Sequence, residues 1–387
     1  MLNVDGGDMS VPILQFGTSR FLQAHVDLFV SEAMARGEAL GDIAVVQTTA
    51  SPRSAERVEA LARDQSYPVR VRGLQDGMLI DELRWCHSIQ AAWQAQSDWP
   101  RVRDAAVAAQ VIVSNTGDQG YLLNGQDDAS LLDQGLQVAA SFPAKLLVLL
   151  HARWQLSPQT PLSLLPCELV ARNGETLRNV VIGLAEDWVA PVSFINWLGE
   201  HCVWANSLVD RIVSEDLHPM GAVAEPYALW AIERQSGLVL PCRHPAIVLT
   251  DDLASFEQLK LYLLNLGHTC LAEGWQRSRR APDETVAQAM NDPGLSSELE
   301  AVWAHEVLPV FDAMGRGAAA RQYLEVVRDR LRNPFLAHRI ADLAQNHALK
   351  KQRRFAPVVA LADKLGLSLA QPRLRAALVD LPMQASE

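Results

Sequence analysis

The chain has 387 residues, more than one ordinary hydrophobic core accommodates, because single domains usually stop growing at about 250–300 residues. Its formal net charge of −11 argues against a nucleic-acid-binding protein, since neutralising phosphates requires a basic surface. No apolar run approaches the roughly 20 residues that span a bilayer, and Met1–Asp8 is acidic where a secretory signal would be basic. These features predict a two-domain, soluble, cytoplasmic protein that does not bind membranes.

The cysteines and histidines show no metal-binding pattern. The five cysteines are odd in number and lack Cys-x-x-Cys spacing, so neither a disulfide framework nor a structural zinc site is indicated. The histidines lack ligand spacing such as His-x3-His. We therefore expect no metal site, and we expect the cysteines to be buried thiols.

The first half of the chain alternates strand and helix patterns. Short apolar runs predict strands at Val11–Phe16, Ile43–Gln47, Val111–Ser114 and Leu162–Pro166, and a hairpin formed by Val69–Val71 and Met78–Leu83. Helical patterns follow at Phe21–Ala35, Ser54–Arg63, Val102–Ala109, Leu131–Trp154 and Glu175–Trp188. Alternation of this kind favours a mainly parallel sheet flanked by helices.

Strand signals become sparse after Pro191. Predicted helices follow at Asn206–Ser214, Tyr227–Arg234, Ser255–Trp275, Thr285–Met290, Ser296–Met314, Ala318–Arg332, Phe335–Arg354 and Val358–Leu365. We therefore expect an α/β protein with two domains. An N-terminal Rossmann-type, mainly parallel sheet domain would cover residues 1–190, and a largely α-helical C-terminal domain would cover residues 191–387.

A candidate nucleotide-binding turn lies between the first predicted strand and helix. A dinucleotide-binding turn places glycines there, so that backbone N–H groups can approach the pyrophosphate. Only Gly17 is present, and Ser19 stands at the position of the second glycine. Ser19 still permits close approach, and Arg20 would add charge near a phosphate. We expect Phe16, Gly17, Ser19, Arg20 and Phe21 to contact a cofactor, although an ordinary strand-to-helix turn explains the same pattern.

Two later strand ends bear on cofactor choice. The second strand ends near Thr48 without the carboxylate that often binds the adenosine ribose of NAD, and Ser51 with Arg53 could accept a ribose phosphate. Asn115 and Thr116 follow a strand at the sheet edge where open α/β sheets bind ligands, but an ordinary turn fits equally well. NAD is the expected cofactor, with NADP as the alternative.

Lys260, Asn265 and His268 lie in a predicted helix. At about 100° per residue, Asn265 lies roughly 140° and His268 roughly 80° round the helix from Lys260, so the three side chains share one face. An ordinary amphipathic helix with a surface lysine, a polar amide and a core-edge histidine would produce the same spacing.

An ordered set of residues resembles the long-chain mannitol dehydrogenase family over most of the chain, to about Arg354. The matching groups are Gln15–Gly17, Phe21–His25, Pro166–Glu168, Asn173–Arg178, Asn206–Ile212, Lys260, Asn265 and His268. Within the family, the segments most similar to tagaturonate reductases are Pro166–Leu169, Phe194–Trp197 and Asn333–His338.

This resemblance implies metal-independent hydride transfer in a cleft between a Rossmann-type domain and a helical domain. The family's catalytic lysine matches Lys260, its assisting Asn and His match Asn265 and His268, and Asn173 corresponds to the Asn of an Asn-Gly pair. A family aspartate matches Asp210. Two departures are the missing second glycine and a glutamine at position 23, where the family usually has arginine.

Oxidation of a secondary alcohol requires a base for the hydroxyl proton while hydride leaves for the nicotinamide. Lys260 suits this role if burial favours its neutral form. The amides of Asn265 and Asn173 would stabilise the developing alkoxide, and His268 would orient the substrate or the lysine. Asp210 would hold a substrate hydroxyl, although a salt bridge with a neighbouring arginine is a comparable interpretation.

The carboxylate of a sugar acid requires a cationic partner. Candidates are Arg330, Arg332, His338 and the basic run Lys350–Arg354, which is more typical of a solvated helix face. The expected function is an NAD(P)-dependent dehydrogenase or reductase acting on CH–OH groups of a linear sugar acid, of the tagaturonate or fructuronate reductase type. The alternatives are a polyol or polyol-phosphate dehydrogenase and a catalytically silent nucleotide-binding protein.

Overall fold

A computed structural model describes residues 11–49, 51–117, 119–134 and 137–379. The chain divides into two compact units. The first comprises the chain up to Val71 together with Glu82–Ala224 and Ala228–Leu253. The second comprises Arg72–Asp81, Glu225–Tyr227 and the chain from Ala254 onward. The last division between the units falls near Leu253, well after the boundary expected at Pro191. Pro191 instead lies inside the first unit, where it precedes a helix.

The strands of the described residues are β1 (Ile13–Phe16), β2 (Ile43–Gln47), β3 (Tyr67–Gln75), β4 (Met78–Cys86), β5 (Ile89–Gln94), β6 (Val111–Ser114), β7 (Leu162–Pro166), β8 (Cys202–Trp204), β9 (Ser207–Asp210), β10 (Val213–Asp216), β11 (Ala222–Ala224), β12 (Leu229–Glu233) and β13 (Ile247–Thr250).

The helices of the first unit are α1 (Arg20–Gln23), α2 (Val26–Met34), α3 (Pro52–Asp64), α4 (Ala95–Ala108), α5 (Ser130–Gln134), α6 (Phe142–Leu156), α7 (Asn173–Asp187) and α8 (Val192–Glu200). The later helices are α9 (Leu253–Leu259), α10 (Leu266–Arg277), α11 (Val286–Asn291), α12 (Pro293–Val302), α13 (Leu308–Ala313), α14 (Gly317–Leu331), α15 (Ile340–Leu343), α16 (His347–Arg354), α17 (Ala356–Lys364) and α18 (Pro372–Val379). Two π-helical turns, π1 (Lys260–Asn265) and π2 (Trp303–Val307), interrupt the α-helical segments.

A six-stranded parallel sheet, in the order β5-β2-β1-β6-β7-β8, organises the first unit. The inner strands β1, β2, β6 and β7 are buried throughout, as expected for parallel strands covered on both faces. Alternate residues enter different apolar cores, since Leu14 and Phe16 belong to one cluster and Ile13 to the other. The predicted mainly parallel sheet is confirmed.

The register of the sheet aligns the carboxyl ends of its central strands. Phe16 of β1 pairs with Val46 of β2 and with Ser114 of β6, and Ser114 pairs with Pro166 of β7. The strand order reverses between β1 and β6, the position at which doubly wound sheets bind ligands. The loops that follow these strands therefore leave one edge of the sheet together.

Two smaller sheets have the orders β10-β11-β3-β4 and β13-β12-β9. They show that the helices predicted at Asn206–Ser214 and Tyr227–Arg234 are wrong. These segments instead contain β9, β10 and β12, and β12 pairs with both β9 and β13. Pairing with distant strands overrides the weak helical pattern of such short segments.

The second unit is largely helical, as expected, and has its own apolar core that includes Leu263, Trp303 and Phe311. The predicted helix Ser255–Trp275 begins earlier, at Leu253, so Ser255 lies within α9. This helical segment is also interrupted by π1 before it continues as α10. The interruption changes the geometry of the residues with expected catalytic roles.

Asp27 is a carboxyl group buried inside the first unit. It lies on α2, and its Oδ2 atom accepts a 2.7 Å hydrogen bond from the Tyr67 hydroxyl. Burial raises the pKa of Asp27 to about 7, while the Tyr67 hydrogen bond acts in the opposite direction. The folded protein therefore holds a proton here at pH values where the unfolded chain has already lost it.

This proton makes the free energy of unfolding depend on pH. The stabilisation is complete below the ordinary carboxyl pKa of about 4 and is lost as the pH rises through about 7, with a slope of up to about 1.4 kcal/mol per pH unit. Asp27→Asn should flatten this part of the profile, measured by urea unfolding at a series of pH values. The exposed Asp104→Asn is the control, and an unchanged slope in Asp27→Asn would refute the assignment.

Candidate active site

The turn after β1 requires glycine. Gly17 has φ +122°, and a Cβ atom there would lie 2.7 Å from the carbonyl oxygen of Asn115. The Gly17 amide donates to the Val46 carbonyl at 3.0 Å, which joins the turn to β2. Ser19 caps α1 by accepting from the Leu22 amide at 3.3 Å, and its hydroxyl donates to Asn115 Oδ1 at 3.3 Å. The bare backbone of this turn fits the close approach that a dinucleotide pyrophosphate requires.

The other residues expected to contact the cofactor have different surroundings. Phe16 is buried and its ring lies 5.4 Å from that of Phe142, so its side chain belongs to the core. Arg20 lies on α1 with Nη1 3.8 Å from Asp216. The ring of Phe21 stacks on His25 at 4.7 Å between ring centroids.

The predicted helix Phe21–Ala35 is broken around Ala24 and His25, because α1 ends at Gln23 and α2 begins at Val26.

Two side chains that sequence reasoning did not assign hold the carbonyl of Thr18. Arg57 donates to this oxygen at 3.2 Å and forms a 2.6 Å ion pair with Asp216. Gln23 donates to the same oxygen at 3.1 Å and accepts from the Gly221 amide at 3.0 Å. Gln23 thus supports the turn through an uncharged side-chain amide.

The loop after β2 carries Thr48, which is half-buried. Gln47 closes this loop, because its side-chain amide donates to the carbonyls of Thr49 at 2.5 Å and Ser51 at 3.1 Å. The side chain of Arg53 lies outside the described residues.

A buried carboxylate connects the loops after β6 and β7. Glu168 accepts hydrogen bonds from the Ser114 hydroxyl at 3.0 Å, from the Thr116 amide and hydroxyl at 3.0 and 2.9 Å, and from the Tyr121 hydroxyl at 3.3 Å. Burial and the adjacent Glu168 carboxylate raise the pKa of Tyr121 far above its usual range, so the phenol remains a donor. Asn115 adds a 2.8 Å bond to the Cys167 carbonyl. The Pro-Cys-Glu motif was the sequence signal for this network.

The side-chain amide of Asn173 is hydrogen-bonded within the protein at both its nitrogen and its oxygen. It is buried, and its Nδ2 atom donates to the carbonyls of Pro166 at 2.9 Å, Ser207 at 3.1 Å and Glu168 at 3.2 Å. Its Oδ1 atom accepts from the amides of Ser207 at 2.8 Å and Gly174 at 3.0 Å. Both ends of the amide are committed to backbone groups, so Asn173 is suited to holding loops together.

Asp210 is buried at the end of β9, opposite Leu229 of β12. The adjacent Arg211 is also buried, and its Nη1 atom donates to the Ala24 carbonyl. Asp210 is therefore carried by the first unit, on the three-stranded sheet.

In the second unit, π1 begins at Lys260 and ends at Asn265. The Leu266 amide donates to the Leu261 carbonyl five residues earlier, which is the π pattern. The separation of about 140° expected from α-helical geometry therefore does not apply, because the wider π turn rotates each residue by less than an α-helix does. Lys260 and Asn265 are both half-buried.

His268 follows on α10 and is buried. Its ring lies 5.3 Å from the ring of His338, in an edge-to-face arrangement. Burial lowers the pKa of His338, which favours the neutral imidazole, while Asp342 acts in the opposite direction. The structure thus brings together two histidines that sequence reasoning assigned to catalysis and to substrate binding.

Arg330, which was expected to clamp a substrate carboxylate, is paired with a carboxylate of the protein itself. Its Nε and Nη2 atoms donate to both oxygens of Glu225 at 3.1 and 2.8 Å, and the two side chains are 2% and 1% exposed. The guanidinium also lies 4.5 Å from the ring centroid of Tyr227, and Nη1 donates to the Tyr323 hydroxyl at 3.3 Å. The edge of the Arg330 guanidinium that could bind a substrate carboxylate is therefore occupied by Glu225.

The segment that carries His338 is anchored near Asn333. The Asn333 side chain donates to the Arg72 carbonyl at 3.3 Å and accepts from the Phe335 amide at 3.0 Å. The guanidinium of Arg72 lies 5.0 Å from the Phe335 ring centroid. Arg332, the other arginine proposed as a clamp, is exposed.

The basic run Lys350–Arg354 does not act as a single patch. Lys350 donates to the Leu343 carbonyl at 2.8 Å, and Lys351 lies 3.1 Å from Glu273. Arg354 donates to the Asn265 carbonyl at 3.0 Å. One member of the run therefore contacts π1 directly.

Three further findings concern metal binding, membrane-spanning helices and the cysteines. Within the described residues, no group of three or more His, Cys, Asp or Glu side chains is arranged to hold a metal ion. No helix in this part of the chain is both long and apolar enough to cross a bilayer. The cysteines are free thiols, buried as expected except for Cys270, which is partly exposed.

Two family models cover most of the chain. The Rossmann domain of mannitol dehydrogenases matches residues 11–239, and the C-terminal domain of mannitol dehydrogenases matches residues 252–378. An altronate oxidoreductase of Bacillus subtilis is 30% identical over 90% of this chain and 74% of its own length. A protein of the same name from Halalkalibacterium halodurans is 28% identical over 92% of this chain and 72% of its own length.

Solved structures agree with these matches at the level of the fold. A substrate-free D-sorbitol dehydrogenase superposes with a TM-score of 0.82 at 20% identity, covering 95% of this chain and 80% of that one. A Pseudomonas fluorescens mannitol 2-dehydrogenase in complex with NAD and D-mannitol gives a TM-score of 0.71 at 19% identity, covering 96% and 79%. The chain therefore belongs to the mannitol dehydrogenase family, whose members are NAD-dependent oxidoreductases acting on CH–OH groups.

Proposed function

We propose that this protein interconverts a secondary alcohol and a ketone on a linear sugar acid, with altronate and tagaturonate as the pair. The observation that carries the proposal is the turn π1, with Lys260 and Asn265 at its two ends and His268 just beyond it. Single π turns inside α-helices occur frequently at functional sites. The altronate oxidoreductases among the relatives support a sugar acid as substrate.

Lys260 is assigned the proton transfer. In alcohol oxidation its neutral amine takes the hydroxyl proton as the carbon–oxygen double bond forms, and the ammonium returns that proton in the reverse direction. NAD, when bound, accepts the hydride from the carbinol carbon. The Asn265 amide donates a hydrogen bond to the developing alkoxide, so that no metal is needed to stabilise its charge.

The two histidines are assigned to orientation. His268 is buried beside His338, and both rings lie in the unit that carries Lys260. A neutral His338 can donate a hydrogen bond to a substrate hydroxyl or carboxylate, or accept one from a hydroxyl, without adding a positive charge to the site. Asp210 is proposed to hold a substrate hydroxyl.

The cofactor is proposed to be NAD, bound at the sheet edge after β1, β2 and β6. Gly17 provides the bare backbone for the pyrophosphate, with Ser19, Arg20 and the α1 entry beside it. The loops carrying Thr48, Asn115 and Thr116 are proposed to hold the two riboses. A mannitol 2-dehydrogenase of the same fold has been solved in complex with NAD, which is consistent with a nicotinamide cofactor here.

Asn173 and Glu168 are proposed as positioning residues for this edge. Their hydrogen bonds hold the loops after β6 and β7 to β9 through backbone groups, without a free donor on Asn173 for the substrate. This assignment replaces the alkoxide-stabilising role expected for Asn173.

A polyol dehydrogenase is the second candidate, because Glu225 occupies the guanidinium edge of Arg330 that a sugar-acid carboxylate would have used. A substrate panel separates the two candidates. Purified protein is given NADH or NADPH with tagaturonate, fructuronate, fructose and fructose 6-phosphate, and NAD(P)H absorbance is followed.

We expect tagaturonate with NADH to give the highest kcat/KM. Activity on fructose or its phosphate without activity on either keto acid would establish the polyol candidate. Cofactor binding without reduction of any ketone would identify a catalytically silent protein.

A further inference from the structure

Side chains from elsewhere in the second unit, together with Thr269 of the following helix α10, bind the backbone of π1 at two carbonyl groups. The Leu263 carbonyl accepts a hydrogen bond from the Trp303 indole at 3.2 Å. The Asn265 carbonyl accepts from the Thr269 hydroxyl and from Arg354 Nη1, each at 3.0 Å. Arg354 Nη1 also donates to the Thr269 hydroxyl at 2.9 Å, which closes a three-membered network at the end of the turn.

A π turn needs such support because its geometry is less favourable than that of the α-helix on either side. Isolated π turns are rare, and helices depart from regular α geometry where a side chain engages the backbone ladder. Close packing contributes as well, since a Cβ atom on Gly267 would lie 2.8 Å from the Trp303 ring. The end of π1 is therefore held from two sides, by Trp303 and by Arg354.

The surroundings of Arg354 disfavour its positive charge. It is half-buried, burial lowers its pKa, and within the described part of the chain it has no carboxylate partner. Its neighbour Lys351 has Glu273, and Arg330 has Glu225. Buried arginines usually have an acidic partner, so a guanidinium resting on two neutral oxygens is not explained by ion pairing.

We propose that Arg354 is a positioning residue for the reaction, which holds the backbone of Asn265 so that its amide meets the substrate oxygen held by Lys260. The inference rests on the proposed function of Lys260 and Asn265 and adds a residue to it. Arg354 acts through the Asn265 carbonyl and the Thr269 hydroxyl, and it does not itself touch the substrate.

The test compares four single variants by steady-state kinetics in alcohol oxidation. Arg354→Met keeps the length of the side chain but removes its donors, and Thr269→Val removes the second member of the network while keeping the shape. Arg353→Met is the matched control, because Arg353 is the preceding, exposed residue of the same basic run. Arg354→Lys restores one donor.

We expect Arg354→Met to lower kcat by about 10- to 100-fold, the scale of a misplacement of about 1 Å at a reacting group. The KM for NAD should stay within about twofold of the wild type, because the cofactor residues lie in the first unit. Arg354→Lys should recover part of kcat, and Arg353→Met should be unchanged. A kcat within about twofold of the wild type in folded Arg354→Met would overturn the proposal.

Circular dichroism and thermal unfolding show whether each variant folds. If Arg354→Met does not fold, Thr269→Val decides: lowered kcat at unchanged KM for NAD supports the proposal, and unchanged kcat overturns it. Lys260→Ala, assayed in parallel, separates this inference from the function on which it rests. Full activity in Lys260→Ala would refute the catalytic assignment, whereas an inactive Lys260→Ala with a fully active Arg354→Met would refute only the role of Arg354.

Discussion

Replacing Lys260 with alanine is expected to lower kcat for alcohol oxidation by about 10²–10⁴-fold, the usual contribution of a positioned acid–base group. The binding of NAD should be nearly unchanged, because the residues assigned to the cofactor lie in the first unit and Lys260 lies in the second. Stopped-flow and steady-state rates, combined with titration of NAD binding, measure both effects on the same preparation.

The matched control is Lys364→Ala, an exposed lysine near the end of α17 in the same unit. It should have wild-type activity, so a general effect of removing a lysine charge is excluded. Activity of Lys260→Ala within about tenfold of the wild type would contradict its role as the acid–base group.

Replacing Arg330 with methionine is expected to reduce the free energy of unfolding by about 3–5 kcal/mol, the range for removing one partner of a buried ion pair. The variant removes a bidentate partner from the Glu225 carboxylate, which is only 1% exposed, as well as the contacts to Tyr227 and Tyr323. Urea unfolding gives the magnitude. Arg332→Met, two residues away at an exposed position, should change the free energy of unfolding by less than about 0.5 kcal/mol.

The double variant Glu225→Gln/Arg330→Met tests whether the lost stability comes from the unpaired charge of Glu225. Removing the buried charge along with its partner should recover part of the stability lost in Arg330→Met, because the largest penalty comes from an uncompensated buried charge. A loss below about 1 kcal/mol in Arg330→Met, combined with a large rise in the KM for the sugar acid, would restore the substrate-clamp interpretation.

The parallel sheet could be predicted from the sequence because its strands are continuous apolar runs. The predicted strand Leu162–Pro166 coincides with β7, and Ile43–Gln47 coincides with β2. Strands β9 and β12 could not be recognised in the same way. Their structure depends on pairing with other segments of the chain, since β12 pairs with both β9 and β13.

The geometry of the candidate site could not be predicted from the sequence. A helical projection at 100° per residue cannot anticipate π1, because the extra residue of a π turn leaves no mark on apolar periodicity. The pairing of Arg330 with Glu225 joins residues 105 positions apart, so a basic residue before Asn333 was naturally interpreted as a substrate clamp. The five backbone hydrogen bonds of Asn173 could not be predicted from the sequence either, since they come from loops brought together by the sheet.

The central claim is that one amine, Lys260 Nζ, moves the proton in the reaction. Rescue of Lys260→Ala by an added primary amine such as ethylamine tests this most directly, because a small amine can replace the missing base in the space left by the side chain. We expect alcohol oxidation to rise with the concentration of the amine's free-base form. A Lys260→Ala protein that binds NAD normally but shows no rescue at any amine concentration would contradict the claim.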